Sequence, residues 1–135
     1  MWEVYLAKQP DNEKITINLG HVDLGRIDLL VQEGFYANRS DFIRTAIRNQ
    51  LTAQDDAVAR SIARHSLDLG LREITRAELE AAAASGPLHI RVVGLARIAA
   101  DVSPELARAA IGSITVLGAL QAPAAVKAAL RDHTR

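Results

Sequence analysis

The sequence predicts an α+β chain. A short strand and two helices (β-α-α) occupy residues 14–54, a helical segment follows, and a small α/β module with two strand–helix repeats closes the chain. Three observations predict this. Residues 14–19, KITINL, alternate polar and large aliphatic side chains, the two-residue period of a half-buried strand. Residues 22–51 carry two apolar stripes at helical spacing, separated by turn and cap signals. Residues 90–94 and 114–118 share the pattern I-x-V-[V/L]-G, 24 residues apart.

Residues 1–13 read as an N-terminal arm with a Pro10-Asp11-Asn12 turn signal. In the strand, Ile15, Ile17 and Leu19 form one face, and Lys14, Thr16 and Asn18 the other. A lone strand is not stable in water, so this one needs a partner. Val22, Leu24, Ile27, Leu30 and Val31 then approximate a helical stripe, which Gly34 ends in the position of a C-terminal cap. Asn38, with Asp41 three residues on, caps a second helix whose stripe is Phe42, Ile43, Ala46, Ile47 and Leu51.

Residues 55–85 read as a helical connector. The apolar spacing runs on through Val58, Ile62 and Leu69 to a break at Gly70, and Thr75 with Glu78 opens an Ala-rich helix. Residues 86–135 hold the two repeats. The match extends to Val102 with Val126 and to Leu106 with Leu130, and Ser103-Pro104 opens the first repeat's helix. Repeat units need about three copies to bury a core. The pair either completes itself against another chain, as an oligomerisation or partner-binding module, or is a chance match within one small α/β domain.

Composition narrows the function. The absence of cysteine excludes disulfides and thiolate metal sites. The N-terminus lacks the basic-then-apolar pattern of a signal peptide. The longest uncharged stretch, Ala109–Val126, is too poor in large aliphatics for a membrane span of about 20 apolar residues. The four histidines, His21, His65, His89 and His133, are not spaced as metal pairs, and no phosphate loop or nucleophile motif is present. Sixteen basic residues balance sixteen acidic ones, and up to Leu51 there are six basic against seven acidic. That balance counts against a broad nucleic-acid footprint, while leaving a local patch open.

Residues 14–51, KITINLGHVDLGRIDLLVQEGFYANRSDFIRTAIRNQL, resemble a ribbon-helix-helix DNA-binding domain of the CopG/MetJ/Arc type, most closely in GFYANRSDFIRTAIR. The resemblance covers the N-terminal part only and implies an intertwined homodimer. Its paired strands would form a ribbon in the major groove of operator DNA with palindromic or tandem half-sites. Lys14, Thr16 and Asn18 would then contact bases, since Lys suits guanine, Asn adenine, and Thr either. Otherwise they are simply a solvated strand face. Asn38, Arg39 and Ser40 would hold phosphate at a helix N-terminus. Ile15, Ile17, Leu19, Leu24, Ile27, Leu30, Ile43 and Ile47 would build the dimer core. The implied protein is a cytoplasmic, nucleoid-associated repressor without cofactor, metal, membrane partner or enzymatic activity. Two other readings compete. In one, the chain is an antitoxin whose C-terminal region binds a toxin protein; in the other, it is an oligomeric interaction or structural protein that does not bind DNA.

Overall fold

The computed structural model describes residues 12–134. The expected N-terminal arm therefore lies outside the described residues except for its last two positions. The chain divides into two compact units. One spans residues 12–61, and residues 62–134 belong to the other.

The first unit opens with residues 12–20, which have no regular secondary structure. Helix α1 (His21–Gln32) and helix α2 (Arg39–Ala53) follow, and helix α3 (Asp55–His65) begins after a one-residue break at Gln54. The end of α1 has a physical cause. Gly34, at φ 87°, donates its N–H to the Val31 carbonyl, and Phe35 donates to that of Leu30. These two bonds are the Schellman arrangement that a C′ glycine permits. Asn38 starts α2 by accepting the Asp41 N–H at 2.8 Å. The Asp41 carboxylate reaches back to the Ala37 N–H at 2.9 Å, one residue beyond the cap itself.

Three expectations about this region need correction. The segment 14–19 is not a strand, so the β-α-α order is replaced by helices that precede every described strand. Alternation sets only which side chains would share a face. A strand also needs a neighbour to bond its amides and carbonyls, and no described segment pairs with residues 14–19. Second, the helical pattern does not run unbroken from α2 to Leu69. Third, the stretch read as a helical connector contains a strand, β1 (Asp68–Ile74).

The second unit is a strand–helix series with three copies rather than two. After β1 come α4 (Arg76–Ser85), β2 (Leu88–Ile98), α5 (Pro104–Ala110), β3 (Ile111–Gln121), α6 (Ala124–Ala129) and a short 3-10 turn (Arg131–His133). The strands are parallel in the order β1-β2-β3. Both helix starts read from the sequence are present. Thr75 accepts the Glu78 N–H, and Ser103 accepts the Leu106 N–H with Pro104 in the first turn.

On β2 the side chains of Ile90, Val92, Ala96 and Ile98 are buried. They join Ile74, Leu79, Val102, Ala107, Ile114, Val126 and Leu130 in one apolar cluster. The alternate side chains point to the uncovered side of the sheet, where Leu69, Leu71 and Leu117 are all more than half exposed. Across that side, Arg97 bonds Glu73 at 3.2 Å and Gln121 at 3.1 Å along one row of the three strands.

One row consists of glycine alone. Gly70 pairs with Gly94, and Gly94 with Gly118, all at positive φ (115°, 134° and 120°). A Cβ on Gly94 would run into the Gly70 carbonyl, and one on Gly118 into the Gly94 carbonyl. At Gly94 and Gly118 the 24-residue spacing thus marks positions where the neighbouring backbone approaches too closely for any side chain.

Candidate functional site

The first unit holds all of the expected functional residues. Its helices leave an apolar cleft of about 440 Å³, lined by Ile17, Leu19, Ile27, Leu30, Ile43 and Ile47 together with Phe42 and Ala46. Six of the eight residues expected in a dimer core therefore share one surface. Ile15 and Leu24 do not line it. Ile15 is 74% exposed and Leu24 is half-buried. Ile27 is the only buried residue of this unit, so its apolar side chains surround an open hollow rather than a closed core. Among the described residues, Asp23 and Arg26 supply the cleft's charged lining.

Two side-chain contacts brace the turn between α1 and α2. Tyr36 packs edge-on against Phe42 with ring centroids 5.0 Å apart. Arg39, the first residue of α2, reaches across to Asp28 on α1. Its Nε donates to Oδ1 at 2.8 Å and its Nη2 to Oδ2 at 2.7 Å. This is a two-pronged carboxylate contact on the surface, with both side chains about half exposed. Hydrogen bonding from Arg39 holds the Asp28 carboxyl below its ordinary range. The same bond pushes the Arg39 guanidinium higher still. The pair was not read from the sequence, although Asp28 and Arg39 flank the turn that brings the two helices together.

The expected phosphate contacts Asn38, Arg39 and Ser40 are all exposed at the start of α2. The corner is already engaged internally. Asn38 caps the helix, Asp41 occupies the Ala37 N–H, and Arg39 is forked onto Asp28. Lys14, Thr16 and Asn18 are exposed on the irregular segment before α1. Among the described residues no group of three or more His, Asp or Glu is placed to hold a metal ion. No helix among them is long and apolar enough to cross a membrane.

A family model described as the Ribbon-Helix-Helix transcriptional regulator family matches residues 10–127. No curated protein and no solved structure matches the chain. The match corrects the resemblance drawn from residues 14–51, because it takes in nearly the whole chain instead of the N-terminal part only. The fold corrects the mechanism attached to that resemblance. With helices first and no strand at 14–19, a repressor that lays a paired β-ribbon from a homodimer in the operator's major groove is not supported.

Proposed function

Because the chain belongs to the ribbon-helix-helix transcriptional regulator family, we propose that its 12–61 unit carries the regulatory contact, and that this contact is with the phosphates of nucleic acid. The matched family is one of transcriptional regulators. No paired ribbon is part of this reading.

The observation that supports it is the Arg39–Asp28 fork. A guanidinium held in one plane by a carboxylate, at the surface, already has the geometry in which it grips the paired oxygens of a phosphate. Asp28 acts as an internal stand-in for that anion. Exchange of Asp28 for a phosphate keeps both hydrogen bonds, and the helix start at Asn38, Arg39 and Ser40 adds backbone N–H groups and the positive end of the α2 dipole. Lys14, Thr16 and Asn18 are the further contact residues, on the exposed segment leading into α1. A local grip of this kind accommodates a balanced net charge better than a broad basic footprint would. The reading goes with a location in the cytoplasm, at the nucleoid.

Fluorescence anisotropy with a labelled mixed-sequence duplex tests it. Binding is expected at low salt and should weaken steadily as salt rises, because each neutralised phosphate releases counterions. Arg39→Ala should weaken binding evenly across sequences and lower the salt slope by about 1. Asp28→Asn, which frees the fork, should tighten it. A chain that binds no duplex at the lowest salt, or that binds equally well without Arg39, overturns the proposal.

A further inference from the structure

We propose that the second unit joins end to end with a second copy of this chain, the β1 edge of one copy pairing in parallel with the β3 edge of the next. Among the described residues, β1 and β3 are the two outer strands of the sheet. Each presents a row of backbone groups that another strand can complete.

The glycine row specifies the partner. The Cβ side of Gly94 is filled by the Gly70 carbonyl, and that of Gly118 by the Gly94 carbonyl. Among the described residues, nothing lies within 4 Å of the equivalent side of Gly70. The vacancy therefore has the shape that a glycine carbonyl on a parallel strand fills twice within the chain. The row's own next member, Gly118 of another copy, supplies such a carbonyl from the outer edge of β3. Antiparallel pairing of two β1 strands does not reproduce this arrangement.

The register agrees. β1 spans the rows of β2 from Val92 to Ile98, which continue on β3 from Val116 to Gln121. Among the described residues, backbone pairing reaches the outer edge of β3 at a single bridge, Ile114 with Thr134, just before that stretch. The length of edge that no described residue pairs with thus matches the strand that would cover it. Pairing would also extend the row Leu69–Val93–Leu117 and the row Leu71–Leu95–Ala119 across the joint, placing exposed leucines beside one another.

Charge favours the same pairing. Residues 68–85, which make β1 and α4, hold four acidic side chains and two basic ones. Residues 111–134, which make β3, α6 and the 3-10 turn, hold two basic side chains, Lys127 and Arg131, and one acidic, Asp132. Within the chain, α4 packs on α5 and α5 on α6, so the joint brings the acidic α4 of one copy to the basic α6 of another. Two β1 ends would instead meet with like charge. An end-to-end contact of this kind is heterologous, and it closes into a ring or continues as a filament.

Sedimentation of the full chain over a concentration series tests this, independently of any nucleic acid. Mass should rise with concentration and fall with added salt. Leu71→Lys blocks the β1 end and Ala119→Lys the β3 end. Leu71 is already largely exposed, and unchanged circular dichroism confirms that both variants fold. Each variant alone should lose the concentration-dependent growth. Mixing the two restores one intact joint, and the mass should rise towards double that of either variant alone. As a second test, Glu80→Lys should weaken growth, and Lys127→Glu in the same chain should restore it. A wild-type mass that ignores concentration, blocked variants that grow like wild type, or a mixture no heavier than its components would overturn the proposal.

Discussion

The Arg39–Asp28 fork is held by two short hydrogen bonds on an exposed surface, so its effect is on protonation and geometry more than on stability. Hydrogen bonding from Arg39 lowers the Asp28 pKa in the folded chain. A lowered carboxyl contributes stability that is fully present above its unfolded pKa and is lost as pH falls through the folded one. The window therefore lies below the ordinary carboxylate range, and the fork persists through neutral pH. In a carboxyl-resolved NMR titration, Arg39→Ala should move the Asp28 midpoint upward, back towards its ordinary value. A midpoint unchanged by that substitution would mean that the hydrogen bonds are not formed in solution. Glycines at two positions offer a second contrast. Gly25 lies inside α1 with nothing within 4 Å of an added Cβ. Gly25→Ala should stabilise the chain by about 0.5–1 kcal/mol in urea unfolding, because alanine suits a helix interior better. Gly94→Ala meets both a positive φ and the Gly70 carbonyl, and it should cost more than about 1 kcal/mol. Equal effects at the two sites would contradict the close approach of β1 to β2.

Among the elements, helix ends were the most legible because they are chemically local. A glycine at C′ and an Asn, Thr or Ser at the cap act within three or four residues, and Gly34, Asn38, Thr75 and Ser103 all do as their sequence context predicts. Strands are not local. The alternation at 14–19 is as regular as any in the chain, yet no described segment completes a ladder beside it. β1 shows the reverse. Leu69 also falls on the helical spacing of Val58 and Ile62, which hid the strand, and Gly70 reads as a break. The signal that reveals it is Gly70 at the same 24-residue offset that separates Gly94 from Gly118. Of the candidate site, Ile27, Leu30, Phe42, Ile43, Ala46 and Ile47 were legible from helical periodicity, whereas Ile17 and Leu19 were read on a strand that the structure does not contain at 14–19. The Arg39–Asp28 contact was not, because side chains eleven residues apart meet only once the turn between α1 and α2 is known.

At the scale of the whole molecule, burial is unevenly shared between the two units. The apolar cluster lies entirely within residues 74–130, whereas residues 12–61 bury Ile27 alone. Opening free energy follows buried apolar contact. Amide hydrogen exchange should therefore be slowest in the central strand β2 and much faster in α1 and α2. Protection in α1 equal to that in β2 would show that the cleft of the first unit is filled in solution. The central glycine carries a last consequence. Gly94 is crowded by one neighbour's carbonyl and crowds the other with its own. Both flanking residues, Gly70 and Gly118, already lack side chains, so neither has atoms left to trim. A genetic search for second-site suppressors of a bulkier residue at position 94 should find none at those two codons.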